Sequence, residues 1–302
     1  MTSEIYKGDG RQPEEIGFDV YDINELASKP ELNTTLHNMA IQTLTDKWRN
    51  CYTDYYAKWF ESVRHEEFKI LEIGVERGYS IRLWNKYFPN STIYGVDNGR
   101  ICNKSTMESL NECDGIVTDY LDQSNREDLQ KFIDKHGGDF DIIIDDGFHY
   151  QEHQQISFGF LFPYLKPGGV YIIEDVIIPS EKFKNVSKSK RWGIEDNVNF
   201  TDATLNVLLN FISTGKLDNS PYMTKEEKEY IEENTTRDMH ELCVRVMIKG
   251  SSAVATINKR GKHPLNNMIM KHHLPERDPF LTENTDGLDY FFYQGYQFEE
   301  DE

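Results

Sequence analysis

The sequence predicts an α/β fold built on a mostly parallel sheet. Strand-like apolar runs alternate with helical patterns from residue 68 onward, as in chains that form βαβ units. The run at 141–145 is apolar without alternation, which is typical of a strand covered on both faces. Charged residues gather directly after that run, where open α/β sheets bind their ligands. At 302 residues the chain is long enough for a large core.

The first half of the predicted sheet has three strands. "FKILEIGV" at 68–75 is the first, and the helical pattern "SIRLWNKYF" at 80–88 follows it. "STIYGVD" at 91–97 and "GIVT" at 115–118 are the second and third strands. The next helix is predicted in "NREDLQKFIDKHGG" at 125–138, where the two glycines provide the stop.

The second half adds two parallel strands and a hairpin. "DIIID" at 141–145 is the fourth strand, and "VYIIED" at 170–175 is the fifth. Between them, 150–169 reads as an amphipathic helix that ends in Pro-Gly-Gly. "LCVRVMIKG" and "SAVATINK" at 242–259 are joined by a short Gly-Ser-Ser turn and predict an antiparallel hairpin.

The remaining segments lack this alternation of strand-like and helical patterns. Residues 1–62 are predicted to be a helical or irregular N-terminal region that caps the main domain at 63–302. Residues 181–237 are an expected insertion after the fifth strand, with a helical pattern in "TKEEKEYIEEN". Residues 263–302 form an acidic, aromatic tail. These segments are candidates for covering a site or for a contact in a homo-oligomer, and the alternative is that they are solvated.

Composition excludes several classes of partner. The formal charge of −19, from 52 acidic and 33 basic residues, repels a phosphate backbone and argues against nucleic acid or an anionic membrane surface. We find no signal peptide and no membrane span, and therefore expect a cytoplasmic protein. The four cysteines lie far apart without metal-ligand spacing, so we expect them to be reduced thiols.

A glycine-containing turn follows the first strand. Glu72-x-Gly74-x-x-x-Gly78 precedes a helix, and such glycines permit a tight turn and a close approach to a ligand. Asp97 ends the second strand, where a carboxylate can accept the hydroxyl protons of a ribose. The spacing differs from the dinucleotide fingerprint and from the phosphate-binding lysine loop. A core turn that binds nothing is the alternative.

A second group of polar residues follows the fourth and fifth strands. If those strands are neighbours, their carboxyl ends bring Asp146, Glu174 and Asp175 to one side of a cleft. Clustered carboxylates repel one another unless a cation neutralises them, and oxygen ligands suit Mg²⁺. His149 lies three residues after Asp146. The alternative is a helix cap with solvated neighbours.

The glycine turn and Asp97 resemble the first two motifs of the class I S-adenosylmethionine-dependent methyltransferases. The resemblance implies a Rossmann-like, seven-stranded sheet with a C-terminal antiparallel hairpin. It also implies that the loop from Glu72 through Gly74 to Gly78 contacts the methionine part of the cofactor and that Asp97 holds the ribose. In "DQS", Asp122 and Gln123 would then lie beside the adenine.

"IDDGFH" followed by "LFPYLKPGGVYIIED" resembles the macrocin and mycinamicin group of sugar O-methyltransferases over residues 43–180. That resemblance implies that Asp146, Glu174 and Asp175 bind Mg²⁺ and that His149 is the catalytic base.

"TDKW" followed by "YTDYY", at 45–56, resembles the segment of that group that folds over the cofactor. Phe148 stands where the group has a small residue, and 181–237 has no close counterpart in it.

These residues predict metal-dependent methylation of a hydroxyl on a sugar or glycosylated small molecule. A sugar hydroxyl is a poor nucleophile, and coordination to a divalent ion at Asp146 would stabilise the developing alkoxide. His149 can then accept the proton, while His153 is expected to have a supporting or surface role. Two alternatives stay open. The acceptor could be a catechol-like or other diol, or the chain could be a non-catalytic cofactor-binding assembly protein.

Overall fold

The structure is a computed structural model that describes residues 34–48, 52–177, 203–235, 242–246 and 252–265. Most of the acidic tail, the first part of the insertion and the first half of the N-terminal region lie outside the described residues. The expectations for those segments therefore stay predictions.

The described residues contain a seven-stranded sheet whose five parallel strands continue into an antiparallel hairpin. Its spatial order is β3-β2-β1-β4-β5-β7-β6. The strands are β1 Lys69–Ile73, β2 Thr92–Asp97, β3 Ile116–Tyr120, β4 Phe140–Asp145, β5 Leu165–Ile177, β6 Leu242–Val246 and β7 Ser252–Asn258. The predicted fold class, including the hairpin, is confirmed.

The described helices connect the strands and cover the sheet. They are α1 Thr35–Thr43, α2 Tyr52–Phe60, α3 Tyr79–Tyr87, α4 Lys104–Asn111, α5 Arg126–His136, α6 Gln151–Leu161, α7 Thr204–Thr214 and α8 Lys225–Asn234. A reciprocal capping box starts α8, because Thr224 accepts from the amide of Glu227 and the Glu227 side chain accepts from the amide of Thr224. Among the described helices, none has the length and apolar character needed to cross a membrane.

The helix before β5 ends earlier than predicted. Helix α6 stops at Leu161, and a short 3₁₀ helix at Phe162–Tyr164 follows it. Strand β5 already begins at Leu165, which pairs with Phe140 of β4. Pro163 explains the change, because it lacks the amide hydrogen that a continuing α-helix requires. The Pro-Gly-Gly sequence therefore lies inside the strand.

The core consists of two apolar layers, one on each face of the sheet. Ile70, Ile142 and Ile172 belong to one layer, while Leu71 and Ile143 point into the other. Successive strand residues face opposite sides, so a strand covered on both sides needs apolar residues throughout. This burial explains the unbroken isoleucine run and leaves polar residues for the strand ends.

Candidate active site

The carboxyl ends of β1, β4 and β5 meet at one edge of the sheet. Strand β4 lies between the other two, with Asp145 paired to Ile73 on one side and to Ile173 on the other. The predicted neighbourhood of the fourth and fifth strands is therefore confirmed. The residue after β4, Asp146, is held by a backbone hydrogen bond of 3.0 Å from its amide to the carbonyl of Ile73.

A buried lysine lies among three carboxylates at this edge. Lys47 donates to Asp146 Oδ2 at 2.6 Å and to both carboxylate oxygens of Glu174 at 2.8 Å. Its Nζ also lies 3.1 Å from Glu72 Oε1. We call Lys47, Glu72, Asp146 and Glu174 the inner cluster. The side chains of Lys47, Glu72 and Glu174 are almost completely buried, so their charges act on one another with little screening.

The pKa values of the inner cluster reflect an excess of negative charge. Burial and the charge of Asp146 raise the pKa of Glu174 well above its ordinary value, although Lys47 opposes the shift. Burial also raises the pKa of Glu72, again against the effect of Lys47. For Lys47, burial favours the neutral amine, but the surrounding carboxylates keep its pKa well above the ordinary value. One ammonium therefore offsets part of the negative charge.

A second, more open group shares Asp146 with the first. Asp146, His149 and Asp175 each offer a ligand atom, and these atoms lie within 4.8 Å of one another. We call these three residues the outer cluster. His149 Nε2 lies 3.5 Å from Asp175 Oδ2, and the Tyr52 hydroxyl donates to Asp175 Oδ1. The set of two carboxylates and an imidazole, half-buried at this edge of the sheet, fits a divalent cation.

The backbone of the outer cluster is strained. His149 has a φ of 59° and Asp175 a φ of 50°, both in the left-handed region that non-glycine residues rarely adopt. Glu76, in the turn after β1, has a φ of 47°. Such conformations persist when the surrounding structure fixes them, and they concentrate at functional sites. The irregularity of β5 between Ile173 and Val176 is what turns Asp175 away from the ladder.

The loop after β4 is held by a buried polar network. Gln123 donates to both oxygens of Asp145, at 3.0 and 3.1 Å, and accepts from the amide of Phe148 at 2.9 Å. A Cβ at Gly147 would lie 1.8 Å from Gln123 Oε1, so a side chain there would displace the Gln123 amide. The Ser157 hydroxyl also donates to Asp145. Gln123 and Asp145 therefore position the loop that carries Asp146 and His149.

The glycine turn packs against that same loop. Gly74 has a φ of 98°, and a Cβ there would lie 2.1 Å from the carbonyl oxygen of Asp146. Gly78 precedes α3 with a φ of 74°. Asp97 Oδ2 accepts the amides of Val75 and Glu76 at 3.0 and 3.1 Å. These bonds fix the turn beside a carboxylate that retains capacity to accept a further hydroxyl.

Asp122 lies beside a cleft at the β3 edge. Its Oδ1 accepts from the amide of Ser124 at 3.0 Å and from the hydroxyl of Ser124 at 2.6 Å. Burial opposes ionisation, but these hydrogen bonds lower the pKa of Asp122. Asn98, Arg100 and Leu121 line the same cleft, which measures ≈ 510 Å³. A cleft of that size accommodates a ligand group as large as a nucleobase.

His153 differs from His149 in its surroundings. Helix α6 begins at Gln151, so His149 lies in the loop before the helix and His153 lies in its first turn. The ring of His153 stacks on Phe148 at a centroid distance of 5.5 Å and meets Tyr150 edge to face. Burial lowers the pKa of His153. The aromatic packing is consistent with the supporting role predicted for it.

The structure thus divides the predicted site residues into groups. Asp146 and Asp175 lie together with His149, whereas Glu174 faces Lys47 and Glu72. Whether Asp146, Glu174 and Asp175 bind a metal, and which residues bind a cofactor, stays a prediction.

Sequence reasoning missed the roles of Lys47, Tyr52 and Tyr56, whose polar groups contact these carboxylates. Their segment was noted for its resemblance, but its spacing gave no sign of the contacts.

Residues 71–176 match the model of a methyltransferase domain family. The chain is 37% identical over 159 residues to demethylmacrocin O-methyltransferase of Streptomyces fradiae, a match that covers 50% of this chain and 37% of that protein. It is 39% identical over 132 residues to mycinamicin VI 2''-O-methyltransferase of Micromonospora griseorubida, covering 41% and 31%.

A solved structure extends the similarity beyond the matched domain. MycE methyltransferase from the mycinamycin biosynthetic pathway, in complex with Mg, SAH and mycinamycin VI, superposes with a TM-score of 0.53 and 25% sequence identity. The superposition covers 81% of this chain and 57% of that one. The sequence matches span just over a third of the length of the first relative. The resemblance drawn from the sequence is confirmed at the level of a methyltransferase domain.

Proposed function

We propose that this chain, which carries a methyltransferase domain, transfers a methyl group from S-adenosylmethionine to a hydroxyl of a sugar or glycosylated small molecule. The observation that carries the proposal is the outer cluster, in which His149 and two carboxylates lie within 4.8 Å at the carboxyl edge of the sheet. The loop that carries Asp146 and His149 packs against the glycine turn. Cofactor and acceptor sites would therefore be adjacent.

His149 is the proposed general base. Its Nε2 would take the proton of the acceptor hydroxyl as the oxygen forms its bond to the methyl carbon. The sulfonium sulfur would then leave with the electron pair of its bond to the methyl group. Asp175 Oδ2 lies 3.5 Å from Nε2, and its negative charge would stabilise the imidazolium that forms there. A histidine side chain can both accept and release a proton, which suits this exchange.

Asp146, Glu174 and Asp175 are the proposed ligands of Mg²⁺. When bound, the ion would supply the positive charge that makes the acceptor hydroxyl easier to deprotonate. Oxygens of Asp146 and Asp175 reach the half-exposed outer cluster, while Glu174 lies behind them in the inner cluster. Three carboxylates in one region fit a cation, because their mutual repulsion otherwise favours protonation.

The cofactor would lie along the glycine turn and the end of β2. Gly74 and Gly78 allow the turn to pass close to the methionine part, and Asp97 accepts from the ribose. Asp122 would lie near the adenine, beside the cleft that it lines. Glu72 and Gln123 were also predicted to bind the cofactor. Because both are buried and bonded within the protein, we propose that they act on it by holding these loops.

The test is a methyl-transfer assay with S-adenosylmethionine and matched acceptors. The protein is incubated with a glycosylated macrolide that has free sugar hydroxyls, with its sugar-free aglycone, and with a catechol, and products are measured by mass. We expect methylation of the glycosylated acceptor, loss of turnover in EDTA and recovery with Mg²⁺. Full turnover in EDTA after exhaustive dialysis contradicts the metal proposal. Methylation of the catechol alone changes the acceptor class, and cofactor binding without any turnover supports the assembly protein.

A further inference from the structure

Lys47 has no part in the methyl transfer described above, yet it lies at the centre of the carboxylates. Its side chain is 1% exposed. Four oxygen atoms from Asp146, Glu174 and Glu72 surround Nζ at distances from 2.6 to 3.1 Å. Such a buried ammonium is retained where several acceptors compensate its loss of hydration.

The position of Nζ is one that a divalent ion could otherwise take. Glu72, Asp146 and Glu174 each offer an oxygen, and these oxygens lie within 4.8 Å of one another. Asp146, His149 and Asp175 also offer ligand atoms that lie within 4.8 Å of one another. The edge of the sheet therefore has two cation positions that share Asp146, and Lys47 fills one of them.

We propose that Lys47 is a positioning residue whose ammonium occupies the inner cluster as a fixed cation and so limits the site to a single divalent ion. The ion then binds on the side of Asp146 that faces Asp175, and Glu174, whose oxygens accept from Lys47, serves both cations. This inference rests on the proposed metal-dependent function and adds the stoichiometry of the metal site. A covalently attached cation cannot dissociate, so the inner carboxylates stay compensated whether or not the metal is bound.

The segment around Lys47 reinforces this arrangement. The hydroxyls of Tyr52 and Tyr56, both on α2, donate to Asp175 and Glu174. Each of the three predicted metal-binding carboxylates thus receives a hydrogen bond from residues 47–56. The donors restrict the carboxylate rotamers before a metal arrives, which lowers the entropic cost of binding. Lys47 and the two tyrosines therefore prepare the site for one ion.

The test measures how many Mn²⁺ ions the full chain binds, by the loss of the free-ion signal in electron paramagnetic resonance. We expect one ion per chain in the parent protein and none at the same concentrations in Asp175→Asn. In Lys47→Ala, which empties the inner position, we expect a second ion. The matched control is Lys259→Ala, because Lys259 is also buried but donates to the carbonyls of Pro163 and Leu165. That control should still bind one ion.

Glu72→Gln decides the question if Lys47→Ala does not fold. The amide keeps the size of the side chain and an acceptor for Ser80. If Lys47, and not the divalent ion, is the cation beside Glu72, the affinity for the divalent ion should change by less than about threefold, whereas an ion ligated by Glu72 should lose at least tenfold, about 1.4 kcal/mol.

A tenfold loss in Glu72→Gln, or a single ion with parental affinity in folded Lys47→Ala, overturns the inference while the metal proposal stands. A parent protein that binds no Mn²⁺ overturns both, so the two failures are distinguishable.

Discussion

Two aspartates near opposite ends of strand β4, Asp141 and Asp146, lie in opposite electrostatic surroundings. Near the amino end, Asp141 accepts from the amide of Lys69 at 2.6 Å, from Lys166 Nζ at 2.9 Å and pairs with His263 Nε2 at 2.7 Å. Burial favours its protonated form, but these partners outweigh burial and lower the pKa of Asp141. A buried carboxylate with enough donors is a stable part of the fold.

Just past the carboxyl end, Asp146 meets the reverse balance. Glu72 and Glu174 accompany it, and one lysine serves all three. The pKa of Glu174 is raised by burial and by the charge of Asp146. Burial thus disfavours the charged carboxylates at this end, and perturbed pKa values of this kind cluster at functional sites. The comparison separates a carboxylate that is neutralised within the fold from carboxylates that are proposed to bind a metal.

The largest contrast is expected between two histidines that lie close to aspartates. His149→Ala should lower kcat by roughly 10²- to 10⁴-fold with little change in melting temperature, because it removes the proposed general base. His263→Ala should leave kcat near the parent value and lower the melting temperature, because Asp141 loses a buried partner. Steady-state kinetics and thermal unfolding of both variants measure the contrast. Normal catalysis by folded His149→Ala would refute the base assignment.

Asp141→Asn should reduce the free energy of unfolding by about 1.5 to 3 kcal/mol, the range for hydrogen bonds to a charged group. Urea titration at neutral pH measures the change. Asp114→Asn is the control, because Asp114 is exposed and its replacement should have a negligible effect. If Asp141→Asn loses no more free energy of unfolding than the control, the hydrogen bonds of Asp141 contribute nothing to stability.

Asp97 tests whether a carboxylate at the functional edge serves the cofactor. Asp97→Ala should weaken S-adenosylmethionine binding by about 1 to 3 kcal/mol, because a charged hydrogen-bond acceptor is removed. Calorimetry measures the affinity, and circular dichroism checks the fold, since Asp97 also binds the amides of Val75 and Glu76. Unchanged affinity in a folded variant would exclude Asp97 from the site.

Acid should abolish the stabilisation that ionised Asp141 provides through its hydrogen bonds to Lys69, Lys166 and His263. Because the folded-state pKa of Asp141 is lowered, its stabilisation is complete above the unfolded value of about 3.9 and is lost as pH falls through the folded value. The difference in unfolding free energy between the parent protein and Asp141→Asn should therefore shrink below about pH 4. A difference that is constant from pH 7 to pH 3 contradicts this linkage.

The smallest effect is expected for a buried carboxylate of the inner cluster. Glu72→Gln should change the free energy of unfolding by less than about 1 kcal/mol, because the fold already disfavours the charged form, as the raised pKa of Glu72 indicates. Lys47 keeps Asp146 and Glu174 as partners. Chemical denaturation compares this variant with Asp141→Asn. Equal losses would erase the distinction between the two ends of β4.

Local patterns in the sequence were enough to predict the sheet and most of its edge. Apolar runs gave the parallel strands and the hairpin, because burial on both faces demands continuous apolar residues. The rule that ligands bind at the carboxyl ends of parallel strands then placed Asp97, Asp146 and Asp175 at one edge. The start of β5 at Leu165 was missed, because Pro-Gly-Gly is a common helix stop and its use within a strand depends on pairing with β4.

The tertiary structure decided which charges meet. The sequence grouped Asp146, Glu174 and Asp175 by their positions after neighbouring strands, but the left-handed backbone of Asp175 separates it from buried Glu174. Lys47 reaches Glu174 across 127 residues of sequence, and no local period encodes such a contact. Hydrophobic patterning depends on neighbours along the chain and is visible in one dimension. The balance of buried charge depends on every group within a few ångströms, and that set exists only after the chain has folded.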